Sequence, residues 1–289
     1  MKVFEANIDQ WYIKCLPDDG GRISVLQYAG KNLLTSKPGP FQPPVKDYGE
    51  FERRPVYGYD DCFPSVDPCT YPGLNTQVRD HGELCWRQWY VEQRNNNVIC
   101  TVKCPVPKAL FRRTLEFNDS RLKWKFDVTN LSESGFSFLH VMHALMPLSE
   151  IQQIDLPCFD RVIDERTSEQ INFSNSEELE AYLMKIKPGS FGMFLLRNPG
   201  MGFFKVKLRN GLTKKVAYNI DLFPTLGIWW NNSGYPDEKG LRRSEFALEP
   251  IPGSCSNLEI SWKDGICLKA EPGKSISWNI NWELSIQML

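Results

Sequence analysis

Strict alternation of apolar and polar residues is the feature that most limits how this chain can fold. From Ile276 to Leu284 every second residue is apolar, and Ser, Asn and Glu stand between them. Successive side chains of a strand point to opposite faces, so this pattern predicts a half-buried strand of an antiparallel sheet. Residues 122–128 and 204–208 alternate in the same way. Shorter strands are predicted at 23–28, 86–92, 258–262 and 266–270.

Turn sequences rich in glycine separate these segments. Asn210-Gly211 and Asp264-Gly265 supply the backbone freedom that hairpin turns need. One helix is predicted, because Ser174 can cap a first turn with Glu177 three residues later, and a Lys-Pro-Gly sequence at 187–189 can end it. Many regularly spaced strands with little helix predict an all-β sandwich.

The segment 36–72 departs from this pattern, since it is rich in Pro, Gly and Tyr and only weakly periodic. We expect it to be a long ordered loop, and loops of that length in a compact domain usually carry function. The sequence contains no internal repeat, low-complexity tract or clear linker. Residues 1–289 are therefore expected to form a single domain.

Charge and cysteine content restrict the partners. The net charge is −1 with no run of five basic residues, so no nucleic-acid partner is expected. No apolar stretch approaches the roughly 20 residues that span a bilayer. The N-terminus also lacks the apolar core of a signal peptide, so we expect no membrane partner and a cytoplasmic monomer or homodimer.

The nine scattered cysteines indicate buried, reduced thiols, as for Cys100 and Cys104 on one face of an alternating run.

Three histidines and one glutamate carry the chemistry that the sequence suggests. His81 lies in Asp-His-Gly-Glu, His140 and His143 lie in Phe-Leu-His-Val-Met-His, and Glu249 lies in the apolar Phe-Ala-Leu-Glu-Pro. Imidazoles titrate near neutral pH, and an apolar wall raises the pKa of a carboxyl group. These groups can therefore move protons on a neutral polyol. Residues three apart on a strand point to opposite faces, so no zinc pair is expected from His140 and His143.

Six stretches resemble, in the same order along the chain, the aldose 1-epimerase (galactose mutarotase-like) family. They are residues 20–34, 58–65, 80–86, 136–143, 226–234 and 246–258. The resemblance implies an all-β supersandwich of large antiparallel sheets with one or two short helices, a sugar as the ligand, and no metal or organic cofactor. One departure is Ala144, which stands where relatives carry a proline after the second histidine.

The resemblance also implies site roles. Glu249 is expected to take the proton of the anomeric hydroxyl and His143 to protonate the ring oxygen, with His81 on the ring-oxygen side. The residues expected to contact the substrate are Asp60, Asp61, Trp229 and His140. Of these, the two aspartates would accept bonds from hydroxyls, and His140 is either a pocket wall or a satisfied core histidine. The aspartate with which relatives read one hydroxyl has no matching motif here, although Asp221 falls in the same interval.

Other functions stay open at this point. A lyase or glycoside hydrolase on the same scaffold needs a second carboxylate beside Glu249, for which Asp60, Asp61 and Glu83 are available. A hexose-6-phosphate epimerase needs basic residues, and none of the arginines lies in a recognisable phosphate-binding phrase. The candidates are Arg53, Arg54, Arg79, Arg87, Arg242 and Arg243. A non-catalytic carbohydrate-binding protein would keep the aromatic residues and dispense with the base.

Overall fold

The computed structural model describes residues 2–286, in which the chain forms twenty-four strands and two short helices. The strands before residue 145 are β1 (Phe4–Ile8), β2 (Trp11–Leu16), β3 (Arg22–Tyr28), β4 (Lys31–Asn32), β5 (Tyr59–Cys62), β6 (Cys69–Thr70), β7 (Gln77–Val78), β8 (Tyr90–Arg94), β9 (Asn97–Cys104), β10 (Ala109–Asn118), β11 (Arg121–Asn130), β12 (Phe136–Phe138) and β13 (Val141–Ala144). The later strands are β14 (Met146–Pro147), β15 (Ile151–Asp155), β16 (Arg161–Asp164), β17 (Glu169–Ile171), β18 (Ser190–Arg197), β19 (Phe203–Leu208), β20 (Leu212–Ala217), β21 (Thr225–Asn232), β22 (Ser244–Ile251), β23 (Leu268–Ala270) and β24 (Ser275–Ile286). The helices are α1 (Ser176–Leu183) and α2 (Leu258–Lys263), and 3-10 turns cover Phe51–Arg53, Leu84–Trp86 and Leu148–Glu150.

Three large antiparallel sheets hold most of these strands. Sheet I has the order β1-β2-β3-β5-β13, with β4 paired to β3. Sheet II has the order β15-β19-β20-β24-β11-β10-β9-β8, and sheet III has the order β14-β22-β21-β18-β16-β17. Two ribbons, β12-β23 and β6-β7, complete the described part of the chain. Sheets I and III meet where β13 lies beside β22.

The core lies between sheet II and the surface formed by sheets I and III together. Met142 of β13 and Leu248 of β22 face Trp282 and Ile280 of β24 across this core. The residues between them, including His143 and Glu249, face the other way because strand side chains alternate. One buried apolar cluster contains residues from Ala6 to Leu284.

The alternating segments fold as predicted. Residues 276–284 lie within β24, 122–128 within β11, 204–208 within β19 and 23–28 within β3. In β24 the apolar residues Trp278, Ile280, Trp282 and Leu284 are buried and the polar residues between them are exposed. The predicted all-β sandwich is therefore confirmed, and two short helices accompany it.

Two of the shorter strand predictions were wrong. Residues 258–262 form helix α2, in which Leu258 and Ser261 are buried while Ile260 and Trp262 are exposed. The Asn257 side chain accepts a hydrogen bond from the Ile260 N–H at 3.1 Å and caps this helix. Trp86 belongs to a 3-10 turn, and the strand predicted at 86–92 begins only at Tyr90. The strand at 266–270 is shorter than predicted and begins at Leu268.

The predicted helix forms with its cap shifted by one residue. Asn175, rather than Ser174, accepts a hydrogen bond from the Glu178 N–H at 2.9 Å. The Glu178 carboxylate accepts one in return from the Ser174 N–H at 2.6 Å, which completes a reciprocal cap. The α-helix ends at Leu183, before the Lys-Pro-Gly sequence.

The segment 36–72 is more regular than predicted, since it contains a 3-10 turn and strands β5 and β6. All nine cysteines are unpaired, and Cys100 and Cys104 are buried as the alternation predicts. No helix among residues 2–286 is both long and apolar enough to cross a membrane.

Candidate active site

A cavity of about 400 Å³ opens on the face of sheets I and III that points away from sheet II. Its walls come from the loops around residues 48–56, 66–68, 80–81, 165–166 and 235, and from strands β13, β18, β21 and β22. The volume falls within the range of cavities that hold small ligands. The cavity therefore collects residues from distant parts of the chain around a space that suits a monosaccharide.

Glu249, His143 and His81 all line this cavity, as the resemblance implied. His143 and Glu249 reach it because β13 and β22 run side by side and each turns alternate residues to the same face. His81 arrives from the loop after β7. The structure thus brings the three expected proton-transfer residues together.

Glu249 is almost fully buried, and its Oε1 atom has no hydrogen-bond partner among the described residues. Burial raises the pKa of its carboxyl group to about 8, and the nearby acids Glu165 and Asp67 add to the rise. A carboxyl group with such a pKa exchanges its proton near neutral pH, as general acid–base chemistry requires.

His143 is also buried, and its Nδ1 atom likewise lacks a partner within residues 2–286. Burial holds the pKa of His143 well below its usual range, and the positive charges of His81 and Arg243 lower it further. The imidazole is consequently neutral in the free protein at neutral pH. Both residues line the cavity, and buried polar atoms are normally hydrogen-bonded.

His81 is held in a defined orientation from three sides. Its Nδ1 lies 2.8 Å from Asp80 Oδ1, and its ring stacks on Phe51 with centroids 3.6 Å apart. The edge of its ring meets the His143 ring at 4.9 Å between centroids.

His81 and Gly82 both have positive φ values, of 58° and 72°. Only glycine fits at position 82, because a Cβ there would lie 2.2 Å from the Phe63 carbonyl oxygen.

Asp60 and Asp61 do not line the cavity, which goes against the expectation that they bind hydroxyls. Asp60 is buried and forms an ion pair with Arg22 at 2.8 Å. Asp61 is buried against Arg113, and its Oδ1 lies 2.9 Å from His140 Nε2. Both carboxylates are committed to cations inside the protein, so neither is free to contact a substrate.

His140 is the core histidine of the two alternatives that the sequence left open. Its ring packs between Phe126 and Phe111, with centroids 4.4 and 5.1 Å away. Burial lowers the pKa of His140, although Asp61 opposes the shift. His140 and His143 occupy different environments, as expected for residues three apart. Within residues 2–286, no group of three or more His, Cys, Asp and Glu residues is arranged to hold a metal ion.

Trp229 and Trp230 point to opposite faces of β21. Trp229 lines the cavity, whereas Trp230 is buried in the core against Phe246. Asp221 is exposed and lies outside the cavity.

An ionic cluster that the sequence did not reveal forms one wall. Arg243 donates to both carboxylate oxygens of Glu52, at 2.6 and 3.0 Å, and to Glu245 at 2.8 Å. Glu52 and Arg243 are 191 residues apart in sequence, so no local pattern could pair them. This cluster ties the 3-10 turn of Phe51 to strand β22, beside Trp229.

Asp67, Glu165 and Ser256 form the opposite group, and sequence reasoning missed them as well. The Glu165 carboxylate accepts hydrogen bonds from the Ser256 N–H at 2.7 Å and from its hydroxyl at 2.9 Å. The Asp67 N–H donates to the Ser256 carbonyl at 3.1 Å. Burial raises the pKa of Glu165 to about 7, with Asp67 contributing, and burial also raises the pKa of Asp67. Glu165 stands between two other charged residues, a pattern that resembles an ordinary solvated turn.

Comparison with known proteins identifies the fold. No family model and no curated protein sequence matches this chain. A solved galactose mutarotase-like protein from Clostridium acetobutylicum superimposes with a TM-score of 0.72 at 15% identity, covering 99% of both chains. The fold is galactose mutarotase-like. A Synechocystis protein (TM-score 0.73, 16% identity, 99% of this chain and 96% of that one) and the GalM/aldose epimerase homologue from C. elegans (0.68, 13%, 99% of both) share it.

The galactose mutarotase-like fold confirms the resemblance drawn from the six sequence stretches. At this level of identity the likeness establishes the architecture, and one scaffold can support several reactions. The fold alone therefore does not determine the activity, which depends on the residues of the cavity.

Proposed function

We propose that this protein is an aldose 1-epimerase-like isomerase, which interconverts the anomers of a sugar by opening and reclosing its ring. The observation that supports this proposal is the meeting of His81, His143 and Glu249 on one monosaccharide-sized cavity. Mutarotation needs a base, an acid and donors that hold the sugar, and it needs no other reagent.

The reaction divides these roles among the three side chains. Ionised Glu249 takes the proton of the anomeric hydroxyl while His143 gives a proton to the ring oxygen, and the bond between C1 and the ring oxygen breaks. The open-chain aldehyde then turns about the C1–C2 bond. The same proton transfers in reverse close the ring on the other face. His81, oriented by Asp80, supports the ring-oxygen side.

The resting protonation state differs from the reactive one. With the pKa of Glu249 raised and that of His143 lowered, the shared proton of the free protein lies on Glu249. The reaction needs that proton on His143. Both arrangements contain the same number of protons, so pH does not change their ratio, whereas a bound sugar can.

Two observations bear on the alternatives. Both arginines of the cavity, Arg166 and Arg243, are bonded to carboxylates, which disfavours a phosphorylated sugar. Glu165 gives the cavity a second carboxyl group beside Glu249, and this favours a glycoside hydrolase as the second candidate. A hydrolase would release the alcohol from a methyl or nitrophenyl glycoside, and an isomerase would not.

The test is anomer exchange, followed by polarimetry or NMR with freshly dissolved α-anomers of common aldoses. We expect Glu249→Gln to lower the rate by about 10²–10⁴-fold and to retain sugar binding. Asp221→Asn, which alters an exposed carboxylate outside the cavity, is the matched control and should keep the wild-type rate. An unchanged rate in Glu249→Gln would remove the proposed base. Sugar binding without exchange by the wild-type protein would instead indicate a non-catalytic carbohydrate-binding protein.

A further inference from the structure

The charges of the cavity are unevenly balanced. Glu52 and Glu245 are both paired with the single guanidinium group of Arg243, and Asp80 Oδ1 lies 2.8 Å from His81 Nδ1. By contrast, Asp67, Glu165 and Glu249 form no ion pair with any residue from 2 to 286, although all three line the same space. The acids beside Arg243 thus share one cation, whereas the other three acids have no paired cation in the described part of the chain.

Hydrogen bonds to a shared residue hold Asp67 and Glu165 in place. Ser256 binds the Glu165 carboxylate through its N–H and its hydroxyl, and its carbonyl accepts from the Asp67 N–H. One residue therefore fixes Asp67 and Glu165 next to each other. The backbone also ties this group to the catalytic side, because the His81 N–H donates to the Val66 carbonyl at 2.7 Å.

Arg166, the other arginine of the cavity, does not balance this group. Arg166 lines the cavity, but its guanidinium donates to both oxygens of Asp164, at 3.2 and 2.9 Å, and lies 4.8 Å from the centre of the Phe191 ring. An acid cluster with no cation is costly to keep ionised, because like charges at short range repel. A ligand that supplies the missing charge removes that cost.

A separate observation is a buried polar group without a partner among residues 2–286, in the wall of the same cavity. His143 is more than nine-tenths buried, and its Nδ1 has no partner within the described residues. Buried polar atoms are normally hydrogen-bonded. The polar groups and the acid excess face one cavity, so a single molecule can satisfy both.

We propose that the substrate is an amino sugar whose ammonium group binds between Asp67 and Glu165. This inference rests on the proposed isomerase function and names its substrate class. A protonated amine offers three N–H donors and one positive charge, which match two adjacent carboxylates. A neutral hydroxyl supplies donors without the charge, and a phosphate would add to the repulsion.

The ammonium group would also act on the catalytic pair. A positive charge beside Glu165 favours the ionised form of Glu249, the neighbouring acid whose proton must move to His143. The substrate itself would then shift the pair toward the reactive arrangement. An N-acetylated sugar, which carries no charge, would bind without this effect.

Isothermal titration at pH 7 with glucosamine, galactosamine and mannosamine tests the inference, each sugar being compared with its N-acetyl form and its neutral parent. We expect at least one amino sugar to bind about ten- to a hundredfold more tightly than both counterparts, as charged hydrogen bonds allow. The double variant Asp67→Asn/Glu165→Gln should abolish this preference, and Asp221→Asn should retain it. The inference is overturned when neutral parents bind as tightly as every amino sugar, when the preference persists in the double variant, or when no sugar binds.

Anomer exchange measured by NMR on the same sugars separates this inference from the function. Selective binding of an amino sugar without accelerated exchange would refute the isomerase and leave the ligand class standing. Equally fast exchange of amino sugars and neutral parents would refute the ligand class and leave the isomerase standing.

Discussion

Two sets of acids in this molecule have opposite surroundings. Asp60 and Asp61 on β5 are paired with Arg22 and Arg113 beneath the cavity. The acids Asp67, Glu165 and Glu249 face the cavity and have no cation beside them within residues 2–286. Arginine lowers the pKa of Asp61 in spite of its burial, whereas the pKa values of all three cavity acids are raised.

The difference separates structural acids from reactive ones. A buried carboxylate that is paired with an arginine cannot be removed without a large loss of stability, because the arginine is left uncompensated inside the protein. A carboxylate without a cation beside it costs stability when ionised, and it stays available to exchange a proton or to bind a cationic ligand. Asp60 and Asp61 lie in a recognisable sequence motif, but the acids that line the cavity lie elsewhere in the chain.

Breaking a structural pair should give the largest effect on stability. Asp61→Asn removes the charge that compensates Arg113 and leaves a buried, uncompensated cation. We expect a loss of about 3–5 kcal/mol in the free energy of unfolding, measured by urea denaturation at pH 7. Asp67→Asn is the matched change on the cavity side, and it should leave stability unchanged or slightly raised, since the pKa of Asp67 is raised in the folded protein. Equal losses in both variants would erase the distinction.

Lys214 tests whether a missing partner is enough to indicate function. It is buried between the sheets, where its Nζ lies 2.8 Å from Met146 Sδ and 4.2 Å from the centre of the Trp282 ring. Burial lowers the pKa of Lys214 to about 7. Lys214 has no cavity of useful size beside it, so we expect its cost in stability to serve no reaction.

Lys214→Met should therefore raise the free energy of unfolding by about 2 kcal/mol at pH 7 without changing anomer exchange. The unfolded chain binds this proton up to about pH 10.4, whereas the folded protein releases it near pH 7. Wild-type stability should consequently rise with pH between these values, and the advantage of the variant should shrink by pH 9.5. Thermal unfolding at both pH values measures this, and an advantage independent of pH would contradict the assignment.

The pH profile of kcat/KM should give the mildest effect and the sharpest view of the catalytic pair. One proton must remain on Glu249 and His143 together, and it is lost as pH passes about 8. We expect kcat/KM to fall about tenfold per pH unit above that point, and to be level just below it because the low pKa of His143 keeps a second proton away. A rate that rises through pH 8 would show that Glu249 acts without a protonated His143.

How much the sequence predicts depends on the range of each interaction. Alternation identified β24 because nine consecutive residues, 276–284, repeat one pattern. It failed at 258–262, because five residues fit a strand period and a helix period equally well. These residues form a helix, in which Leu258 and Ser261 lie three residues apart on the buried side.

The site shows the same division. His81, His143 and Glu249 were found through motifs that resemble a family, and the structure brings them together. Glu165 and the Glu52–Arg243 pair depend on which loops meet, and a single sequence does not contain that information. Asp60 and Asp61 were assigned to the substrate because their motif was visible, while their arginine partners were not.

The cavity is assembled from loops and strands that only the complete sandwich brings into contact, and this has a thermodynamic consequence. A sugar that binds there recognises the native state as a whole and no isolated fragment of it. Ligand binding should therefore appear as a cooperative rise in the melting temperature of the entire molecule, growing with the logarithm of sugar concentration.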